Sequence, residues 1–160
     1  MTTLTMVGSL PKSAHNIPVR AVRYPACYTS LELVREFVGL AAEQCGMEEK
    51  TIYQVQLAVD EAFTNIVEHA YGGESDALVE CTCRIEEEGL TVILHDCGRA
   101  FDPTKVPEPD LEAPLEERDV GGLGIYFMRR LMDDVRFMPA PVNQDGCNTL
   151  TMFKRKEKAV

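Results

Sequence analysis

Residues 57–71 read LAVDEAFTNIVEHAY, and the rest of the chain is organised around this stretch. Apolar residues recur in it and just before it at steps of three and four, which predicts one amphipathic helix. These residues are Val55, Val59, Ala62, Ile66 and Ala70. Glu61 and Asn65 stand one turn apart at the edge of the apolar stripe, where a core meets a cleft. Taken alone, the pair fits either a site for a metal and its ligand or a solvated helix edge.

The composition predicts one globular domain. The chain has 160 residues, 45% of them hydrophobic, and no apolar run near the ~20 residues that a membrane span needs. Residues 1–17 show neither periodicity nor a signal-peptide pattern, so we expect a flexible leader, a domain at 18–156 and a cytoplasmic location. A net charge of −10 argues against direct binding to nucleic acid. The six cysteines form no C-x-x-C pair and predict reduced, mostly structural thiols.

The other elements predict an α+β fold. Residues 19–25 alternate as a short strand does, and residues 31–44 carry a helical pattern that Gly46 closes. Residues 77–97 switch to a period of two and predict a hairpin, and two further strands are expected within 134–156. Because the strands come in hairpins, we expect a two-layer α/β sandwich, with a mixed, mostly antiparallel sheet and the helices on one face.

A second candidate site is the segment HDCGRAFD at 95–102, at the end of a predicted strand. The ionised carboxylate of Asp96 accepts hydrogen bonds only, which suits the exocyclic amino group of adenine and not the carbonyl of guanine. Gly98 would let a flat ring approach the backbone. Asp and Gly at a strand end are also common turn formers, so an ordinary turn is the alternative.

A third candidate follows a proline-rich, acidic segment at 102–120, which predicts a long exposed lid. The residues after the lid that open a helix are Gly121, Gly122, Leu123 and Gly124. Glycines leave the N–H groups at a helix start free to face an anion, so this segment fits a phosphate site, or else a flexible hinge with a cap. Arg118 fits two roles, pairing with a terminal phosphate or offsetting the acidic lid.

The three candidates fit a single ligand, a nucleoside triphosphate. Asp96 would hold the adenine, and the glycine-opened helix would hold the phosphates. The carbonyl oxygen of Asn65 would bind Mg²⁺, which prefers oxygen ligands. Glu61, one turn earlier, would face the γ-phosphate and orient or deprotonate an attacking hydroxyl or water.

Three sequence boxes carry a resemblance to a known superfamily. They are DEAFTNIVEHAY at 60–71, DCGRAFD at 96–102 and GGLGIYFMRRLMD at 121–133. In their order and spacing they resemble the boxes of the Bergerat-fold ATPases, which have a histidine-kinase-like ATPase domain. The short first box and the compact lid look most like those of the anti-sigma factor serine kinases of bacteria.

The resemblance implies a fold, a ligand and site residues. It implies an α/β sandwich that binds ATP with Mg²⁺ between a helix and the lid. By the same resemblance Glu61 is the catalytic base, Asn65 the Mg²⁺ ligand, and Asp96 and Gly98 the adenine contacts. The chain departs from the superfamily in GCNTLTM at 146–152, where others carry a Gly-Thr pair, and Thr149 is the expected phosphate or adenine contact there.

The resemblance also implies an activity and partners. The expected activity is phosphorylation of a serine on an anti-anti-sigma partner of the STAS type, with a sigma factor as a second partner and a homodimer as the assembly. One alternative is a nucleotide-dependent regulatory binding module without kinase activity, although the retention of Glu61 favours the kinase. Another is a fragment of a sensor histidine kinase, for which the N-terminal segment offers only His15 as a phosphoacceptor. His69 matches a position that is often His in the family, and a packed helix-end histidine also fits it.

Overall fold

The computed structural model of the protein describes residues 18–114, 116, 122–140 and 146–158. Its strands are β1 (Val19–Pro25), β2 (Leu78–Ile85), β3 (Gly89–Asp96), β4 (Asp134–Met138) and β5 (Asn148–Arg155). Its α-helices are α1 (Ser30–Cys45), α2 (Glu49–Asn65) and α3 (Gly122–Leu131). The expected leader at 1–17 lies outside the described residues.

The strands form one sheet in the order β1-β2-β3-β5-β4. Every pair of neighbouring strands is antiparallel. The predicted α+β sandwich is confirmed, but the described sheet is wholly antiparallel rather than mixed. The reason is that β4, which runs in the same direction as β3, lies outside β5 and therefore never pairs with β3.

The helices cover one face of the sheet, as expected. The residues that pair across the four longer strands include one continuous row of buried apolar side chains. This row consists of Val22, Cys81, Leu94 and Leu150. Helix α1 contacts the first three strands, and α2 lies between α1 and α3. Because side chains alternate along a strand, the opposite face carries the next residues, which include the partly exposed Thr82 and Thr151.

The central helix differs from the single regular helix that the periodicity predicts. After α2 the chain continues as a five-residue π-helical turn, Ile66–Ala70. The N–H of Tyr71 donates to the carbonyl of Ile66 at 3.1 Å, one residue wider than an α-helical bond. Gly72 and Gly73 follow at φ of 70° and 136°, and they end the helix as expected because this backbone region favours glycine.

The cysteines also depart from expectation. Cys27, Cys45, Cys81 and Cys83 are free thiols, as predicted. The prediction was wrong for the other two, because Cys97 and Cys147 form a disulfide. They are 50 residues apart in sequence, and only the pairing of β3 with β5 brings them opposite each other.

Helices of the described residues are too short or too polar to cross a bilayer.

Candidate functional site

A cleft opens where α2 and its π-helical turn face the ends of β3 and β5. It contains about 340 Å³ of atom-free space, part of it continuous with solvent. The apolar side chains that line it include Ala62, Ile66, Phe101, Phe137 and Leu150. The polar residues Asn65, Asp96 and Arg99 line the same cleft. The structure therefore brings together Asn65 and Asp96, which the sequence predicted as parts of one site.

Asp96 is the last residue of β3, and it is only 5% exposed. The N–H of Gly98 donates to its Oδ1 at 3.0 Å, and Nδ2 of Asn148 donates to the same oxygen at 3.1 Å. Burial raises the pKa of the Asp96 carboxyl, although these two hydrogen bonds and the nearby His95 lower it. Since both described bonds use Oδ1, Oδ2 is the oxygen with which this carboxylate can accept a hydrogen bond from a ligand.

Gly98 allows the end of the central helix to approach the loop after β3. A Cβ on Gly98 would lie 2.7 Å from the carbonyl oxygen of Ala70, which is too close for any side chain. The N–H of Arg99 donates to the same oxygen at 2.7 Å. The space beside Gly98 is thus taken by the π-helical turn, and the predicted approach of a flat ring at Gly98 stays a prediction.

Asn65, at the end of α2, has an unsatisfied side-chain atom. Its Nδ2 is buried and has no hydrogen-bond partner among the residues that the structure describes. A buried polar group without a partner costs about 1–3 kcal/mol, so such groups in a cleft commonly meet a ligand. The amide suits Mg²⁺ and phosphate together, because its oxygen can bind the metal while its NH₂ donates to a phosphate oxygen.

Glu61 lies one turn before Asn65, and its carboxylate contacts the start of α3. A Cβ on Gly124 would collide with Oε2 of Glu61, so the absence of a side chain there makes room for the carboxylate. Burial raises the pKa of Glu61, and the negative charges of Asp60 and Glu68 raise it further. A carboxylate in this state is a stronger base than an exposed one.

The other predicted site residues lie in different parts of the structure or outside the described residues. Gly122 and Leu123 form the first turn of α3, beside the Glu61 contact. Arg118 and Gly121 lie outside the described residues. Thr149 is not brought to the cleft: its Oγ1 is 3.2 Å from Nδ1 of His95, on the sheet face opposite to the one that carries Asp96.

Asn148 is a site residue that sequence reasoning missed. It is 1% exposed and stands directly across from Asp96 in the β3–β5 register. Its Nδ2 also donates to the carbonyl of Gly98 at 3.0 Å. A signal was present, because in a strand that alternates faces Asn148 must lie on the side of the buried Leu150 and not with Thr149.

His69 follows the packing alternative. Its ring stacks on the ring of Phe101, with a centroid distance of 4.3 Å and an angle of 19°. Phe101 lines the cleft, so this stack lies beside it.

Comparison with known proteins agrees with this architecture. A profile of the histidine kinase-like ATPase domain matches residues 24–154. The serine-protein kinase RsbW of Listeria monocytogenes is 32% identical over 119 residues, which cover 72% of this chain and 76% of the relative. RsbW of Oceanobacillus iheyensis is 31% identical over 112 residues, 63% of this chain and 71% of the relative. RsbW of Bacillus cereus is 31% identical over 121 residues, 73% and 75% of the two chains.

The chain belongs to the histidine kinase-like ATPase domain family and, within it, to the family of the RsbW serine-protein kinases.

Proposed function

We propose that the protein is an ATP-dependent protein-serine kinase that binds its nucleotide in the cleft between α2 and the ends of β3 and β5. The observation that carries the proposal is the buried Asp96 carboxylate, which lines the cleft and accepts both of its described hydrogen bonds on one oxygen, so that the other oxygen can accept one from a ligand. Kinship with serine-protein kinases supports the reaction type.

The adenine end of the cleft is assigned to Asp96. Its carboxylate accepts a hydrogen bond from the exocyclic amino group, while a guanine would present a carbonyl oxygen that a carboxylate cannot bind. Ile66, Phe137 and Leu150 line the same cleft and offer apolar contacts to a flat ring. Gly98 helps to hold Asp96, because its N–H is one of the two donors to Oδ1.

The phosphate end is assigned to Asn65 and the first turn of α3. Gly122, Leu123 and Gly124 begin α3, and the free backbone N–H groups and the positive end of the helix dipole at a helix start favour a phosphate. The roles of Gly121 and Arg118 in this end remain predictions. Bound Mg²⁺ would offset the phosphate charge, and the Asn65 amide fits it without adding negative charge.

Glu61 is assigned as the general base. As the serine oxygen of the substrate attacks the γ-phosphorus, Glu61 takes up the hydroxyl proton, and ADP leaves with the electron pair of the broken P–O bond. The raised pKa of Glu61 improves its strength as an acceptor, and contact with Gly124 orients the carboxylate beside the phosphate-binding turn.

The substrate and partners complete the proposal. The serine belongs to a STAS-type anti-anti-sigma protein, and the unphosphorylated partner competes with a sigma factor for a kinase homodimer in the cytoplasm. The net charge of −10 suits partners with a basic face. The alternative, a nucleotide-dependent binding module without phosphotransfer, would not need a base at position 61.

Phosphotransfer from labelled ATP tests the proposal. With Mg²⁺ and a STAS-domain protein, the wild type should label the partner on serine, and Glu61→Gln should lower the rate at least about 100-fold while still binding ATP. Glu49→Gln, an exposed change on the same helix, is the matched control and should behave as wild type. Equal rates for Glu61→Gln and wild type would remove Glu61 as the base. ATP binding with no transfer by any variant would favour the binding module.

A further inference from the structure

The disulfide between Cys97 and Cys147 lies immediately beside the proposed adenine contact. Asp96 pairs with Asn148 in the β3–β5 register, and the two cysteines form the next opposing pair, with their Cα atoms 4.2 Å apart. The covalent link therefore joins the residue after Asp96 to the residue before Asn148. Any change in this link acts on the two strand ends that hold the Asp96 carboxylate.

The link does not occupy the cleft. Because side chains alternate across a sheet, the sulfur atoms lie on the face opposite to Asp96 and Asn148, together with His95. The disulfide can thus form or break without a sulfur atom entering the space assigned to the nucleotide. Its effect on that space must pass through the backbone positions of Asp96 and Asn148.

The link also closes a long loop. The two cysteines are 50 positions apart in sequence, and the segment between them includes the predicted lid, α3 and β4. Both ends of the segment that carries the phosphate-binding turn are therefore tied together at the adenine end. Without the link, the pairing of β3 with β5 and the hydrogen bond between Asn148 and Asp96 would hold the two strand ends together.

The position also suits reversible chemistry. Cys97 is exposed, whereas three of the four free cysteines, Cys45, Cys81 and Cys83, are buried. Accessible disulfides are the ones that solution thiols reduce most readily. The ligand atoms of His95, Cys97 and Cys147 lie within 4.8 Å of one another, so an imidazole is close to both sulfur atoms.

We propose that Cys97 and Cys147 form a reversible redox site that sets the nucleotide affinity of the cleft, with the disulfide form binding more tightly. This inference rests on the proposed nucleotide site at Asp96. The disulfide holds Asn148 opposite Asp96 before the ligand arrives, whereas in the dithiol form the ligand must also order the two strand ends. Preorganisation of this kind should strengthen ADP binding about three- to tenfold.

Oxidation by a peroxide gives a balanced reaction. The Cys97 sulfur attacks one oxygen of hydrogen peroxide, the O–O bond breaks, and the hydroxide that leaves takes up the thiol proton to form water. The Cys147 thiol then attacks the sulfenic sulfur of Cys97. The S–O bond breaks, an S–S bond forms, and the second water leaves with the Cys147 proton. Two thiols thus lose two electrons, and one peroxide becomes two waters. A dithiol reductant reverses the change by exchange.

Calorimetric titration with ADP and Mg²⁺ tests the inference on the full chain, once reduced and once oxidised with hydrogen peroxide. Thiol alkylation followed by mass spectrometry reports the state of the cysteine pair independently of nucleotide binding. The oxidised wild type should bind ADP about three- to tenfold more tightly than the reduced protein. Cys147→Ser should bind as reduced wild type under both conditions, and Cys27→Ser, which leaves the pair intact, should switch as wild type does.

Thermodynamic linkage between ADP binding and reduction of the disulfide supplies a second measurement. If the disulfide strengthens ADP binding, ADP must make the disulfide harder to reduce by the same factor. Equal affinities in both states, or tighter binding by the dithiol form, would overturn the inference and leave the nucleotide site standing. Zn²⁺ bound by reduced His95, Cys97 and Cys147 that restores full affinity would also overturn it in favour of a metal site. No ADP binding in either state would instead refute the proposed function.

Discussion

Asn148 and Asp96 are joined by a buried hydrogen bond, in which Nδ2 of Asn148 donates to Oδ1 of Asp96 at 3.1 Å. The same Nδ2 donates to the carbonyl of Gly98 at 3.0 Å, and Oδ1 of Asn148 accepts from the N–H of Ala140 at 2.8 Å. One amide thus holds three segments in place: the end of β3, the loop after it and the segment after β4. It fixes the orientation of the carboxylate that we assign to adenine.

Asn148→Ala should therefore weaken both folding and nucleotide binding. The change leaves Oδ1 of Asp96 with one described donor and removes the acceptor of the Ala140 N–H, which should cost about 1–3 kcal/mol of unfolding free energy. Denaturant titration measures this loss, and calorimetry with ADP measures the affinity. Asn148→Ala with unchanged affinity would show that Asp96 needs no support from Asn148.

Asp96→Asn should weaken ATP binding while the protein stays folded. A hydrogen bond to a charged group contributes about 1.5–3 kcal/mol, so the affinity should fall about 10- to 150-fold. Asn retains an oxygen for the Gly98 and Asn148 donors, and it removes a carboxylate whose pKa is raised by burial. The control is Asp76→Asn, an exposed change in a loop. Unchanged ATP affinity in Asp96→Asn would refute the adenine assignment.

Glu61→Gln should stabilise the protein near neutral pH while it slows phosphotransfer at least about 100-fold. Burial, Asp60 and Glu68 raise the pKa of Glu61 in the folded state, so the folded chain holds this proton more tightly than the unfolded chain does. The ionised side chain therefore lowers stability above the folded pKa, and this penalty disappears below the unfolded pKa of about 4.3. Such a conflict between stability and activity is common at active sites.

Thermal unfolding at several pH values tests the predicted direction of the stability difference between Glu61→Gln and wild type. The midpoint of Glu61→Gln should exceed that of wild type near neutral pH, and the two should converge in acid below the ordinary glutamate pKa. Glu36→Gln, an exposed change on α1, should show no such divergence. A Glu61→Gln protein that is less stable than wild type at neutral pH would contradict the assignment of a burial penalty.

The effect of Gly124→Ala on stability should depend on the side chain at position 61, and its sign should reverse when Glu61 is replaced by alanine. In the wild type the new methyl group collides with the Glu61 carboxylate, so the protein loses stability and phosphotransfer falls by about 100-fold because the base is displaced. In a Glu61→Ala background the collision is absent, and alanine should stabilise α3 by up to about 1 kcal/mol relative to glycine. Unfolding free energies of the four proteins in this cycle test the contact, and additive effects would exclude it.

Local sequence patterns were sufficient for the elements of the fold. Apolar residues at helical spacing predicted α2, a period of two predicted the β2–β3 hairpin, and the ends of both α1 and the central helix fell at predicted glycines. The order of these elements also predicted the layered sandwich. These features could be read because each depends on residues close together in the chain, where backbone geometry and burial impose a short repeat.

Longer-range features were decided by tertiary structure alone. The sequence pointed to Glu61, Asn65 and Asp96, but it did not predict that Asn148 holds Asp96, and Thr149, the expected ligand contact, lies beside His95 instead. The π-helical turn at Ile66–Ala70 and the disulfide were likewise unforeseen. All three depend on how β5 pairs with β3 and how the helix end meets the loop after β3. Alternation places Asn148 on the face of the buried Leu150, but the residue of β3 that lies opposite Asn148 depends on the strand register, and no local pattern reports that register.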